Sequence, residues 1–331
     1  PKLGLVQTRW EHLNRDYSVL TKTQAVALDG HFVIEQAVRN RSGFYINFNG
    51  TAGIWKKECI FDAGNWEADT LTEDLDLSYR AQLKGWKFKY LVNFTSPAEL
   101  PAEINSLRSQ QFRWTKGAIE TAKKIFPKVL KSKLPLKLKF ESFIHLYSNL
   151  AYPFILLCAI LNLPVMLIKL TGNFDDVFKF MSIFIFAFIS SFIFYLYSQK
   201  DIYTDWQKRI IYFPVFMAGA MGLSVNNTKA VFEGLINKKS EFVRTPKFKI
   251  TSETDSWKGK KYVPKKLNFI VYIEALLAIY CFAGLVIAIV NAQIAAIPFN
   301  LMFCLGFSLI SFLSIKQVVT SNKLMKLSEQ S

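Results

Sequence analysis

Thr72-Glu73-Asp74-Leu75-Asp76-Leu77, followed about forty residues later by Gln110-Gln111-Phe112-Arg113-Trp114, is the pair of stretches on which the fold turns. Thr72 stands where a helix N-cap belongs, and Leu71, Leu75, Tyr79 and Leu83 recur at i, i+4 spacing along the helix it would start. Lys84 is its predicted last residue and Gly85 the stop. The second stretch falls on an amphipathic helix predicted over 102–126.

Working outward, residues 1–100 read as α/β. Leu3 to Gln7 is a short apolar run of buried-strand type, and helical spacing runs from Tyr17 to Val38. Phe44 to Asn49 alternates like a strand and ends at Gly50; Trp86 to Val92 returns to strand character. From Lys123 to Lys139 there are seven lysines and no acid, a cytoplasmic-side signal beside a membrane.

Four segments beyond it have the length and composition to span a bilayer: 143–168, 177–197, 269–290 and 294–315. The segment 210–236 is apolar at its start, but Asn226, Asn227, Lys229 and Glu233 interrupt it. Were it a span, the loop 237–266, with ten basic and three acidic residues, would lie opposite the lysine-rich loop. The expectation is therefore an interfacial helix or shallow hairpin. Four spans put both basic loops and the tail lysines Lys316, Lys323 and Lys326 on one side. Glu274, about a turn and a half into its span, is expected to reach the interface.

Composition agrees. Of 331 residues 51% are hydrophobic and 15% aromatic, and the net charge is +16. The charge sits beside apolar runs, so it points to anionic headgroups rather than nucleic acid. Cys59, Cys158, Cys281 and Cys304, and His12, His31 and His145, are too dispersed for a disulfide framework or a zinc site.

Each chemical candidate has a plainer reading. Asp74 at a helix N-terminus is placed for a general base, yet Glu73, Asp74 and Asp76 also simply complement the helix dipole. Arg113 offers a fork to a diphosphate, Gln110 a neutral partner and Trp114 a flat face for a sugar ring. Equally, Trp114 and Arg113 suit a helix anchored at headgroup level. Phe48-Asn49-Gly50-Thr51 is a close turn, at a ligand or merely ending a strand.

Taken in order, these motifs resemble membrane-bound family 2 glycosyltransferases of the cellulose-synthase and mannan-synthase type. The likeness rests on Leu5-Val6-Gln7-Thr8-Arg9-Trp10-Glu11-His12-Leu13-Asn14, Phe48 to Gly53, Thr72 to Leu77, Leu83-Lys84-Gly85-Trp86-Lys87 and Gln110 to Trp114, and is strong over 3–125. It implies an α/β nucleotide-sugar transferase domain, truncated at its N-terminus, followed by an all-α transmembrane bundle. Residues 1–100 would be the C-terminal part of the α/β domain, 101–140 the interfacial helix and lysine-rich linker, and 141–331 the membrane region. Asp74 would be the base of an inverting transfer. Gln110 and Arg113 would hold the donor diphosphate, and Trp114, with Asn49, Gly50 and Glu73, the acceptor. Ser240 to Lys247 is similar to a cytoplasmic gating loop, which would bring Thr245 and Lys247 to the diphosphate. The implied cofactor is Mg²⁺ or Mn²⁺, on an Asp-x-Asp expected upstream of Pro1, so the chain as given is expected to be inactive. UDP-glucose or GDP-mannose heads the donor list and a growing β-linked polysaccharide is the acceptor, exported through the bundle. A bacterial inner membrane is the expected location. Transfer of one sugar to a ceramide or polyprenyl phosphate, and a non-enzymatic scaffold or transporter, are the alternatives.

Overall fold

The computed structural model describes residues 2–172, 174–251, 255–257 and 267–329. Part of the gating-like loop (252–254 and 258–266) and Pro1 lie outside the described residues, as does the Lys326 side chain.

A three-stranded sheet in the order β2-β1-β3 organises the first hundred residues. Strand β1 (Leu3–His12) is central, with β2 (Gly53–Trp55) antiparallel on one side and β3 (Lys87–Ala98) parallel on the other. Both strands run beyond their predicted ends, because the pairing of Arg9 to His12 with Thr95 to Ala98 continues after an irregularity at Thr8/Arg9. Leu5, Ile46, Phe48, Leu77, Ala81, Trp86 and Phe88 form the core beneath the sheet.

The helix predicted from Tyr17 to Val38 is three pieces in one line. Ser18 and Thr21 form a capping box at the start of α1 (Val19–Asp29). A π-helical turn, Gly30–Glu35, then leads into α2 (Gln36–Arg41).

Phe44 to Asn49 is not a strand, although it is extended. Side chains of α4 (Glu73–Leu83), rather than a neighbouring strand, satisfy its backbone. Gln82 Oε1 accepts from Ile46 N at 3.1 Å and Gln82 Nε2 donates to Ile46 O at 2.7 Å, while Ser78 Oγ accepts from Phe48 N at 2.8 Å. Alternation reports which residues are buried and is blind to where the hydrogen bonds go. Gly85, in the left-handed region at φ 86°, ends the α4 turn as predicted.

Helix α3 (Lys57–Asp62) precedes α4, and the long α5 (Ile104–Lys131) follows β3. Among the described residues, four helical stretches are long and apolar enough to cross a membrane. The first joins α6 (Leu136–Tyr147) to α7 (Ala151–Leu170), and the second contains α8 (Asp175–Met181) and α9 (Ile185–Lys200). A short α10 (Trp206–Ile210) leads to α11 (Phe213–Gly222) and α12 (Ser224–Leu235), a pair bent by 48° that would make a fifth crossing if it were one broken span. The last two are α13 (Phe269–Val290) and α14 (Ile297–Glu329).

Glu274 of α13 does not turn outward. It is fully buried and takes Arg108 of α5 in a two-pronged pair, Nη1 to Oε2 at 2.7 Å and Nη2 to Oε1 at 2.9 Å. Ser314 Oγ of α14 accepts from the same guanidinium at 3.3 Å.

Candidate active site

Three elements meet at Asp74: the start of α4, the turn at Gly50 and the middle of α5. A glycine sets the α4–α5 distance. A Cβ added at Gly117 would lie 2.7 Å from Thr72 Cγ2 and 2.8 Å from Thr72 N, so only glycine permits this crossing. Thr72 Oγ1 then pairs with Thr121 Oγ1 at 3.1 Å, and Leu71 N donates to Glu120 Oε2 at 3.0 Å. Thr72 stands at the N-cap, but its hydroxyl serves this junction and makes no cap bond.

Asp74 is largely buried at the first turn of α4. Burial pushes its carboxyl up from 3.8 to about 6; nearby Glu73 adds to this, while the Leu75 N–H and Arg113 oppose it. Leu75 N donates to Asp74 Oδ1 at 2.8 Å, and Ser78 Oγ donates to Asp74 O at 2.6 Å while accepting from Phe48 N. Ser78 thereby joins the helix to the Phe48 strand end. The chain then turns at Gly50, φ 74°, where an added Cβ would lie 3.2 Å from Asp74 Oδ2.

Arg113 lies one turn of α5 before Gly117. It is coupled electrostatically to Asp74 and Glu73, and its Nε is buried with no hydrogen-bond partner. Gln110 is buried and Trp114 partly buried on the same stretch. Thus Asp74, Glu73, Gly50 and Arg113, chosen from sequence, do come together.

Thr245 and Lys247 do not join that cluster through any direct bond. Thr245 is buried, with its hydroxyl unpartnered. Lys247 Nζ donates to Glu99 O, and Glu99 Oε1 accepts from Phe248 N at 2.9 Å, which ties this part of the segment to the end of β3. The residue of the segment that reaches Arg113 is Phe242, its ring centre 4.8 Å from the guanidinium carbon. Ser240 anchors the approach by bonding Lys116. Sequence reading missed Phe242, Gly117 and Thr121. An arginine–aromatic contact between residues 129 positions apart leaves no local signal.

Asp76 plays another part. Fully buried, it takes Arg80 Nε on Oδ2 at 2.8 Å, and Arg80 also holds Asn65 O at 2.8 Å. Carboxylate oxygens of Glu67, Asp69 and Asp76 lie within 4.8 Å of one another, and this is the single such group of potential metal ligands among the described residues. Oxygen donors of this kind suit Mg²⁺ or Mn²⁺. Here, however, Lys124 Nζ already occupies the middle, 2.5 Å from Glu67, 2.8 Å from Asp69 and 3.1 Å from Asp76. The set does not fit a metal while that ammonium is present. The three histidines are likewise committed separately: His12 to Asp29 at 3.0 Å, His31 to Glu35 at 2.8 Å and His145 to Tyr79 at 2.8 Å. A cavity of about 690 Å³ lies elsewhere, between α1, α5, α11 and α14, and none of these site residues lines it.

The profile of the glycosyl transferase family group 2 matches residues 1–221. The chain belongs to that family. Two similar rice (Oryza sativa subsp. japonica) proteins are named probable glucomannan 4-beta-mannosyltransferase 4 and 3. The first is 44% identical over 133 residues, 40% of this chain and 24% of the relative; the second is 37% identical over 177 residues, 52% and 32%. Glucomannan 4-beta-mannosyltransferase 7 of Arabidopsis thaliana is 42% identical over 132 residues, 40% of this chain and 24% of the relative. The matched part of this family 2 chain thus spans between 24% and 32% of these relatives' length. All three are plant proteins, which lends the expected bacterial membrane no support.

Proposed function

We propose that this chain is part of an inverting, membrane-bound glycosyltransferase that adds hexose, mannose in the first instance, to a growing β-linked polysaccharide. The observation that carries the proposal is the convergence of Asp74, the Gly50 turn and Arg113 in a family 2 chain. An acceptor hydroxyl seated between the Asn49-Gly50 turn and Asp74 passes its proton to the carboxylate as its oxygen bonds to the anomeric carbon of the donor. The bond from that carbon to the diphosphate oxygen breaks from the opposite face, which inverts the centre. Arg113, with an unpartnered Nε and reduced access to water, meets the charge that develops on the leaving diphosphate. Gln110 adds a neutral contact there, and Trp114 offers its ring face to the acceptor. Four apolar helices among the described residues, each long enough to cross a membrane, fit growth at the cytoplasmic face with export through the membrane. Mannose is favoured by the relatives' names, and GDP-mannose is then the donor.

The test uses membranes carrying the full-length protein, supplied separately with labelled GDP-mannose and UDP-glucose, a divalent cation and a β-linked manno-oligosaccharide. Long polymer from GDP-mannose, lost in Asp74→Asn, is the expected result. Polymer from UDP-glucose alone would change the sugar, and a short, lipid-extractable product would replace polymer synthesis by glycolipid transfer. Undiminished transfer by Asp74→Asn would overturn the base assignment.

A further inference from the structure

Asn49, in the turn that faces Asp74, has an unusual division of its amide. Its Oδ1 accepts from Asn47 Nδ2 at 2.9 Å and faces His31 Nε2 at 3.3 Å. Its Nδ2 is buried and has no partner. A buried amide donor without an acceptor is costly unless a ligand supplies one.

His31 is itself held from behind. Its Nδ1 lies 2.8 Å from Glu35 Oε2; Glu35 Oε1 takes Arg39 Nη2 at 2.9 Å, and Arg39 pairs in turn with Glu141 of α6. Burial alone would raise the Glu35 carboxyl, but His31 and Arg39 outweigh it and hold it well below the usual carboxylate range. Glu35 is therefore an acceptor for the ring at Nδ1, and this contact sets the opposite nitrogen, Nε2, toward Asn49 Oδ1. The π-helical turn Gly30–Glu35 contains both residues, and Gly30 is wedged against Tyr195 and Phe194 of α9, where a side chain would overlap their rings. Such turns interrupt a regular helix at some cost and concentrate at functional sites.

We infer that His31 is a positioning residue for the acceptor: it fixes the Asn49 oxygen, so that Asn49 Nδ2 is presented as a hydrogen-bond donor to a hydroxyl of the acceptor sugar. The inference rests on the transfer reaction proposed above and adds a residue outside the motifs that led to it. His31 touches no reacting atom. It acts through Asn49, with Arg39 and the α6 contact as its support.

The test measures kcat, the KM for the manno-oligosaccharide and the KM for the nucleotide sugar in the full-length protein. His31→Ala is expected to raise the acceptor KM about tenfold, the share of one lost hydrogen bond near 1.4 kcal/mol, with the donor KM within about twofold. His31→Gln keeps an N–H directed at Asn49 Oδ1 and should return the acceptor KM to within about threefold of wild type. In an Asn49→Ala background, removing His31 should change the acceptor KM little, because nothing is left to orient. His31→Met, which fills the space without a donor, replaces His31→Ala if the smaller side chain leaves the protein unfolded. An acceptor KM unmoved in the single variants, a donor KM rising in step with it, or a full effect of His31 in the Asn49→Ala background would each overturn the inference while wild-type transfer persists. Absence of wild-type transfer would instead overturn the underlying reaction, and this inference with it.

Discussion

At the scale of the residue, Asp74 as the proposed base answers two opposed demands. A base must be ionised to work, yet its burial favours the neutral acid and moves the carboxyl from 3.8 to about 6. Transfer should therefore fall as pH drops through about 6, which a pH profile of kcat/KM will read. Asp74→Asn should cost on the order of 10²–10⁴ in kcat. Its effect on stability has the opposite sign. A carboxyl whose pKa is raised by folding stabilises the fold below its unfolded value and loses that contribution as pH rises through the folded value. At neutral pH the ionised group weakens the fold by up to about 3 kcal/mol, a ceiling because some solvent still reaches it. Asp74→Asn should melt higher than wild type at pH 7.5 while being nearly inactive; a lower melting temperature would contradict this. At Gly50, φ 74° strains any side chain, and a Cβ would stand 3.2 Å from Asp74 Oδ2, close enough to push that carboxylate aside. Gly50→Ala should cost about 1–2 kcal/mol in backbone strain, seen in denaturant unfolding, and displace the carboxylate, seen as lost kcat.

Between elements, the α4–α5 junction decides whether that carboxylate has its partners. Gly117 admits Thr72, and Lys124 then gathers Glu67, Asp69 and Asp76 so that the loop feeding α4 is held at both ends. Lys124→Ala leaves three acids clustered, with only Arg80 to balance the fully buried Asp76. A loss of about 2–4 kcal/mol in thermal or denaturant stability is expected, the usual scale for removing one partner of a buried charge. Wild-type and Lys124→Ala proteins can also be compared with added Mn²⁺. Only the variant, its central ammonium gone, should gain stability through this cluster; equal gains would show that Lys124 does not exclude a metal there.

Across the whole molecule, an ion pair ties α5 to two of the apolar helices. Arg108 on α5 and Glu274 on α13 are both buried, and Ser314 of α14 shares the contact. Removing one partner leaves a lone buried charge, so Glu274→Gln or Arg108→Met should each cost about 3–5 kcal/mol, whereas the double apolar replacement should recover most of it. Solubilised, purified variants compared by thermal melting would show this, and additive losses would refute the coupling. A second joint is made by Gly222 of α11 and Gly306 of α14: a Cβ at Gly222 would overlap the Gly306 backbone, and one at Gly306 the Ala218 carbonyl of α11. Gly306→Val should separate these helices and melt early.

The sequence by itself determined the family, the α4 helix with its terminal acids, the arginine–tryptophan helix and the four apolar stretches. Each is written in local periodicity or in short ordered motifs. Only the tertiary structure decided which acid of the Glu73-Asp74-Asp76 trio stands beside the Gly50 turn and which is a buried brace. The three share one helical turn and differ only in what approaches them from Gly50, Arg80, Arg113 and Lys124. Glu274 shows the same limit: hydropathy gives its depth in a span, while its partner is 166 residues away on another helix. The extended Phe44 to Asn49 segment was legible as buried alternation, but its hydrogen bonds run to Ser78 and Gln82 side chains, a choice no single segment can encode.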